Sequence, residues 1–325
     1  MTAALLAGDW GGTNLRVWTL DEDGRVASAR EFPYGVTQLG PGEAARRFEQ
    51  DVRPALRAES LPAILCGMVG STLGWRPVPY LDCPAALREL AGALTEVESG
   101  PASVRIVPGL KAQAPWGVSD VMRGEETQIF GWLAADPART EGRRLICHPG
   151  THAKWVLTEG ERITGFQTAM TGELFALLRS HGVLATPGEV DDEGAFDEGV
   201  AVAGDGQALA ARLFSARARI VADLRPSAGA ASYLSGLLIG AEVASTPLLL
   251  GSKPAFVDLL GDLRLCRWYQ RALAAKGIEA ALHDGETAAR HGLFALHQMT
   301  EAKLAARRRA SDPARGGDRT GDPAR

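Results

Sequence analysis

A two-part α/β fold is what this sequence predicts, and three observations carry the prediction. The chain has 325 residues, more than one hydrophobic core usually organises, so about two domains are expected. Apolar strands alternate with helical patterns over most of its length, which favours parallel strand pairing with helices on the sheet faces. Two distant segments, beginning near residues 3 and 144, open with the same order of strand, glycine turn, strand and strand.

The first of these segments carries the most chemistry. Ala3–Ala7 is a short apolar run suited to a buried strand, and Leu15, Val17, Trp18 and Leu20 resume a strand after a polar turn. Between them, Gly8-Asp9-Trp10-Gly11-Gly12-Thr13-Asn14 supplies an acid, glycines and a hydroxyl. Glycine lets backbone N–H groups approach phosphate oxygens with no Cβ in the way, Thr13 adds a hydroxyl donor, and Asp9 can hold a magnesium ion through water. There is no G-x-x-x-x-G-K-[S/T], and the glycines do not open a helix as G-x-G-x-x-G does, so the two commoner phosphate loops are excluded. Taken alone, an ordinary hairpin with Gly-Gly at its tip is the alternative reading.

The remaining elements follow in order. Asp21-Glu22-Asp23-Gly24 turns the chain into a third strand, Val26 to Phe32. Glu43 to Arg57 has Ala44, Phe48, Val52 and Leu56 at helical spacing, and leads to the apolar strand Ala63–Val69. A helix at Ala85 to Leu94, a strand at Val104–Pro108 and a helix from about Gly124 to Ala135 complete the first half. The second half restarts with strand Arg144–Cys147, the turn Pro149-Gly150-Thr151-His152, and strands Lys154–Leu157 and Arg162–Gln167. Helices are expected at Gly172–His181, Ala195–Gly204, Gln207–Phe214 and Ala230–Ser245. Strand Phe256–Gly261, helix Leu263–Ala275, strand Ile278–Leu282 and helix Glu286–Met299 close the pattern. The predicted domains are 1–138 and 139–302, with 303–325, rich in arginine and carrying two Asp-Pro-Ala-Arg repeats, expected as a disordered tail.

Composition narrows the function. Hydrophobic residues make up 46% and charged residues 23% of the chain, as in an ordinary globular protein. The net charge of −4 offers no electrostatic footprint for nucleic acid or an anionic membrane. Cys66, Cys83, Cys147 and Cys266 are scattered without a C-x-x-C pair, which favours buried thiols over disulfides or zinc. Met1–Ala4 lacks a basic leader region, and no apolar run nears the roughly 20 residues of a membrane span. A cytoplasmic protein without nucleic-acid or membrane partners is expected, with a homodimer left open.

Six blocks, in order, carry a family resemblance: Asp9–Arg16, Gly67–Ser71, Met122–Gln128, Pro149–Trp155, Met170–Leu174 and Ser235–Glu242. Asp-x-Gly-x-Thr on a hairpin resembles the first phosphate motif of the sugar kinase, actin and Hsp70 superfamily, and the blocks together resemble the 2-keto-3-deoxygalactonate kinase family from about Leu5 to Met299. The resemblance implies two ribonuclease H-like (actin/hexokinase-type) α/β domains with a cleft between them. It also implies ATP as cofactor with Mg2+, and transfer of phosphate to the 6-hydroxyl of 2-dehydro-3-deoxy-D-galactonate in galactonate breakdown. A phosphohydrolase of the same superfamily and a non-enzymatic nucleotide- or sugar-responsive regulator are the alternatives.

Phosphoryl transfer needs positioning, charge stabilisation and one base. Glu125 and Glu126 follow Gly124 at a helix start, where the helix dipole favours an ionised carboxylate. By likeness to the Gly-x-Glu-Glu segment of exopolyphosphatases, Glu126 is the first choice of base and Glu125 the second, although acids also simply decorate first helical turns. Asp9, Gly11, Gly12, Thr13 and Asn14 are assigned to ATP, with Asp9 also to the metal, and Gly150, Thr151, His152 and Lys154 form the second phosphate loop. His148 and His152 are separated by Pro149 and Gly150, which break any helix that would align them as a zinc pair. Arg16 and Arg123 offer guanidinium forks for a carboxylate, and Ser71 and Thr171 are further substrate candidates, though both arginines have structural readings too. Gly236 and Gly240 are assigned by likeness to a surface beneath adenosine, with helix packing the equal alternative, and Gly261-Asp262 to the ribose or adenine.

Overall fold

The computed structural model of the chain describes residues 2–184 and 188–311, with the backbone alone described at 310–311. Strands β1 (Leu5–Trp10), β2 (Leu15–Leu20) and β3 (Val26–Phe32) form the expected antiparallel meander. The next helix runs as α1 (Glu43–Arg47), a π-helical stretch Phe48–Val52 and α2 (Arg53–Leu56). It delivers β4 (Ala63–Gly67), which lies parallel to β1 as a helical crossover requires. The half is completed by β5 (Leu81–Asp82), β6 (Ala85–Ala86), α3 (Leu87–Gly92), β7 (Thr95–Val97), β8 (Val104–Ile106), β9 (Leu110–Gln113), β10 (Ser119–Met122) and α4 (Glu125–Ala134).

The second half repeats the plan. A meander of β11 (Arg143–His148), β12 (Ala153–Glu159) and β13 (Arg162–Ala169) is followed by α5 (Thr171–Ser180), α6 (Glu193–Ala203), α7 (Leu209–Leu213), α8 (Ser215–Val221) and α9 (Ala230–Leu249). Then come β14 (Phe256–Gly261), α10 (Leu263–Ala274), β15 (Glu279–Asp284) and α11 (Gly285–Ser311). The first sheet has the order β3-β2-β1-β4-β8-β7 and the second β13-β12-β11-β14-β15, with β6 added beyond β13. In both, a meander is extended from its first strand by two parallel strands. This duplication is the pair of ribonuclease H-like domains expected from the sequence.

Between the sheets lies one apolar core that draws Leu5, Ala7 and Ile64 from the first, Ile146, Val156 and Leu260 from the second, and Ile129, Leu133, Ala289 and Leu293 from α4 and α11. The two helices cross at backbone contact. A Cβ on Gly131 would stand 2.0 Å from the Ala288 carbonyl oxygen, and one on Gly292 would stand 2.1 Å from that of Thr127. That crossing fixes α4, whose first turn enters the site described below.

Two expectations are corrected, and one helix is added. Ala85 and Ala86 are not helical but form β6, an edge strand on β13. The helix α8 was not foreseen, and it buries Ala216 and Arg219. The charged segment from Lys303 continues α11 as far as Ser311, while the rest of the expected tail, 312–325, lies outside the described residues. Among the described residues all four cysteines are free thiols, and no helix is long and apolar enough to cross a membrane.

Candidate active site

The first glycine turn, 11–14, is closed by Gly11 N–H donating to the Asn14 carbonyl at 2.9 Å. The segment behind it holds two more of its carbonyls: Val36 N–H donates to Gly11 O at 3.0 Å and Thr37 N–H to Gly12 O at 3.2 Å. Because a trans peptide points its N–H opposite its C=O, the Gly12 and Thr13 amides face away from that support. Gly35 permits the close approach, since a Cβ there would lie 2.1 Å from Gly12 O. Asp9, Gly11, Thr13, Asn14 and Arg16 line a cavity of about 120 Å³ on the open side. Burial pushes the Asp9 carboxyl up to about 6, with Arg16 opposing and Glu125 reinforcing the shift.

The first turn of α4 lies beside Asp9. Gly124 has a φ of +112°, a conformation open to glycine, and sits against Gly67 at the end of β4. Glu125 accepts from the Arg123 N–H at 3.0 Å and pairs with Lys154 Nζ at 3.2 Å. Burial opposes its ionisation, yet the Lys154 ammonium beside it holds the carboxyl below the ordinary range. Glu126 has the opposite surroundings. It is fully buried, its Oε2 accepts from Gly124 N–H at 2.7 Å and its Oε1 from Thr127 Oγ1 at 3.0 Å. Burial, followed by the Glu125 charge, pushes it up to about 8, so it is predominantly protonated at neutral pH. Glu126, the first choice of base from the sequence, is thus sealed from open space, while Glu125 beside it is not.

Two residues later, Gln128 joins the two halves. Its Nε2 donates to Asp9 Oδ2 at 3.4 Å, and its Oε1 lies 2.8 Å from His148 Nε2. Since the carboxylate takes the amide's donor end, His148 must donate to the carbonyl end. Burial lowers the His148 pKa, consistent with a neutral ring in that tautomer. Gly285 stands behind the amide, where a Cβ would come within 2.6 Å of Oε1.

The second glycine turn follows His148. Thr151 O accepts from Glu173 N–H at 2.9 Å, and Gly172 sits so close that a Cβ would be 2.3 Å from Gly150 O. His152 meets Glu173 at 2.5 Å while His148 meets Gln128, so the two rings have separate partners. Lys154, only 3% exposed, donates to His152 O at 2.9 Å in addition to its pair with Glu125. One helical turn thus touches the strand before the first glycine turn and the strands on both sides of the second.

A family model described as 2-keto-3-deoxy-galactonokinase matches residues 9–296. The chain belongs to this family. A protein named as a probable 2-dehydro-3-deoxygalactonokinase of Rhizobium meliloti (strain 1021) is 38% identical over 293 residues, 88% of this chain and 94% of its own. The 2-dehydro-3-deoxygalactonokinase of Escherichia coli (strain K12) is 37% identical over 298 residues, 91% of this chain and 98% of its own. A crystal structure described as a candidate 2-dehydro-3-deoxygalactonokinase from Sinorhizobium meliloti superposes with a TM-score of 0.81 at 36% identity, covering 90% of this chain and 98% of that one. The activator of the 2-hydroxyisocaproyl-CoA dehydratase from Clostridium difficile, solved with bound ADPNP, shares the fold alone, at a TM-score of 0.52 and 13% identity over 94% of this chain and 98% of that one.

For this galactonokinase family member, the other sequence candidates divide. Gly236 and Gly240 pack on α6: a Cβ would meet Phe196 O at 2.0 Å from the first and the Ala203 Cβ at 2.9 Å from the second. Of the two readings the sequence left equal, helix packing is the contact that both glycines make. Gly261 lies beside Pro149 at the strand ends, and Asp262 caps α10 by accepting from Leu265 N–H at 2.9 Å. Asn14 donates to Glu31, which Arg16 approaches at 3.9 Å, with Arg16 half-exposed. Arg123 lies over the Tyr80 ring at 4.2 Å and donates from Nη2 to Val78 O, while its Nε and Nη1 are buried without partners. Ser71 follows the 3-10 turn Met68–Gly70 at the end of β4. Thr171 is buried beside Glu242. Trp10 and Trp155 are core residues. The sequence reading missed Gln128, although it lies three residues from Glu125 and so on the same helix face.

Proposed function

We propose that this protein is an ATP-dependent 2-dehydro-3-deoxygalactonokinase acting on the 6-hydroxyl of 2-dehydro-3-deoxy-D-galactonate. The hydroxyl oxygen attacks the γ-phosphorus, the bond to the β-phosphate oxygen breaks, ADP leaves, and the hydroxyl proton passes to a carboxylate. Glu125 is the proposed base, because it is ionised and partly exposed where Glu126 is neither. The observation that carries this reading is the position of Glu125–Gln128, bonded at once to Asp9, to His148 and to Lys154.

The Gly12 and Thr13 amides and the Gly150–His152 turn supply donors for the phosphates, with Lys154 adding a charge. Asp9, beside Gln128 and Cys66 and lining a small cavity, suits a magnesium ion held with the phosphates and water, and Mg2+ there would neutralise developing phosphate charge. Arg123, with two unpartnered nitrogens, is the preferred fork for the sugar-acid carboxylate, and Arg16 the second. The proposed division of the chain falls near 138/139, with α11 returned to the first unit by its packing on α4 and β1. A cytoplasmic location suits a kinase of a free metabolite.

The test is a coupled ADP-release assay with ATP, Mg2+ and a panel of 2-keto-3-deoxy sugar acids. ADP release that requires the galactonate-derived acid is expected. Equal release with no sugar acid present would contradict the kinase and favour a phosphohydrolase.

A further inference from the structure

The helix α9 carries a single charged residue, Glu242, and it is 5% exposed. A carboxylate is retained in apolar surroundings only when its oxygens meet donors. Here they do. Trp155 Nε1 donates to Oε1 at 2.7 Å and Tyr269 Oη donates to Oε2 at 2.8 Å, one donor on each oxygen, and Thr171 lies beside the carboxyl and favours its ionised form. An apolar residue of similar volume would cost less to bury, so the charge is better explained by the directions it fixes.

Those directions converge on the second glycine turn. Trp155 follows Lys154 on β12, immediately after the turn. Thr171 opens α5, whose next residue, Gly172, presses on Gly150. Tyr269 is on α10, which starts after Gly261 at the side of Pro149. Thr171 and Tyr269 also line, with Gly150, a small cavity of about 50 Å³ beneath the turn. Burial pushes the Glu242 carboxyl up to about 7, opposed by Thr171, Trp155 and Tyr269.

We infer that Glu242 is a positioning residue for nucleotide phosphates: by holding β12, α5 and α10 together, it keeps the 150–152 turn in the shape that receives them. The inference rests on the kinase reading above. No reacting atom touches Glu242, so its loss acts through the turn and weakens nucleotide binding while leaving the sugar-acid side in place.

The experiment compares the full-length protein with Glu242→Gln, which keeps the shape and removes the charge, and with Tyr269→Phe, which removes one donor. ADP affinity is measured by titration calorimetry, and KM for ATP and for the sugar acid are measured separately below the melting temperature. A glutamine offers one acceptor oxygen where Trp155 and Tyr269 both donate, so a roughly tenfold loss of ADP affinity is expected in Glu242→Gln, with a smaller loss in Tyr269→Phe. KM for ATP should rise in parallel while KM for the sugar acid stays within about twofold. Unchanged ADP affinity in either folded variant would overturn the inference, as would an equal rise in both KM values. Should Glu242→Gln fail to fold, Tyr269→Phe decides alone. Wild-type protein that binds ADP without phosphorylating the sugar acid would contradict the kinase reading, and calorimetry would still decide this inference; wild-type protein that binds no ADP would sink both.

Discussion

Glu125 and Glu126 are neighbours with the same side chain and opposite surroundings, one paired with Lys154 and partly exposed, the other sealed against its own helix start. Glu125→Gln should lower kcat by about 10²- to 10⁴-fold, the usual worth of a general base, while ATP binding survives. Glu126→Gln replaces a predominantly protonated acid with a neutral amide of the same shape, and should cost less than about tenfold. Steady-state kinetics on both variants check this, and a larger loss in Glu126→Gln would reverse the assignment. The Gly-Glu-Glu segment was legible in the sequence as a helix start bearing acids. Which glutamate turns inward was not, because α4 buries Thr127, Ile129, Phe130, Gly131, Trp132 and Leu133 as well, and a helix buried nearly all round has no clear polar face to read.

At the scale of elements, α4 is placed by glycines at three of its contacts: Gly67 under Gly124, Gly292 against Gly131, and Gly285 behind Gln128. Gly285→Ala would bring a Cβ within 2.6 Å of Gln128 Oε1 and 2.9 Å of Gly261 Cα. The bond to His148 would be displaced, and a loss of at least about tenfold in kcat/KM is expected, since small misplacements in a site cost up to about a hundredfold. Gly236→Ala should behave differently. Its Cβ would stand 2.0 Å from Phe196 O, so overpacking should lower stability by about 1–3 kcal/mol. KM for ATP should stay unchanged below the melting temperature, and a selective rise in that KM would favour the nucleotide role over packing. The helix carrying Gly236 was legible as an apolar run. Its glycine face was ambiguous because close helix packing and close ligand approach both demand a missing Cβ.

For the whole molecule, the duplicated meanders and the parallel strands added to each were legible because strand, turn and helix patterns are local. The β6 edge strand on the second sheet and the return of α11 to the first half were not, since both depend on contacts between segments about seventy or more residues apart. The assembled core has an electrostatic consequence. Burial holds Asp9 at about 6, Glu242 at about 7 and Glu126 at about 8, all above their ordinary values. Below the unfolded carboxylate range these groups are protonated in both states and cost nothing. As pH rises, the unfolded chain releases its protons first, so stability from these groups is lost progressively through the folded values. In buffer without metal or nucleotide, the melting temperature should fall by several degrees between pH 6 and 9. Glu126→Gln should flatten the upper part of that fall, and an unchanged pH profile in the variant would refute the buried, neutral Glu126.

The first turn of α4 is proposed to work between two glycine turns. A crystal structure with Mg2+, a non-hydrolysable ATP analogue and 2-dehydro-3-deoxy-D-galactonate is the decisive experiment. The γ-phosphate is expected between the Gly12 and Thr13 amides and the Gly150–His152 turn, with the 6-hydroxyl within hydrogen-bond reach of Glu125. Phosphates bound away from either turn, or a 6-hydroxyl facing a different carboxylate, would contradict it.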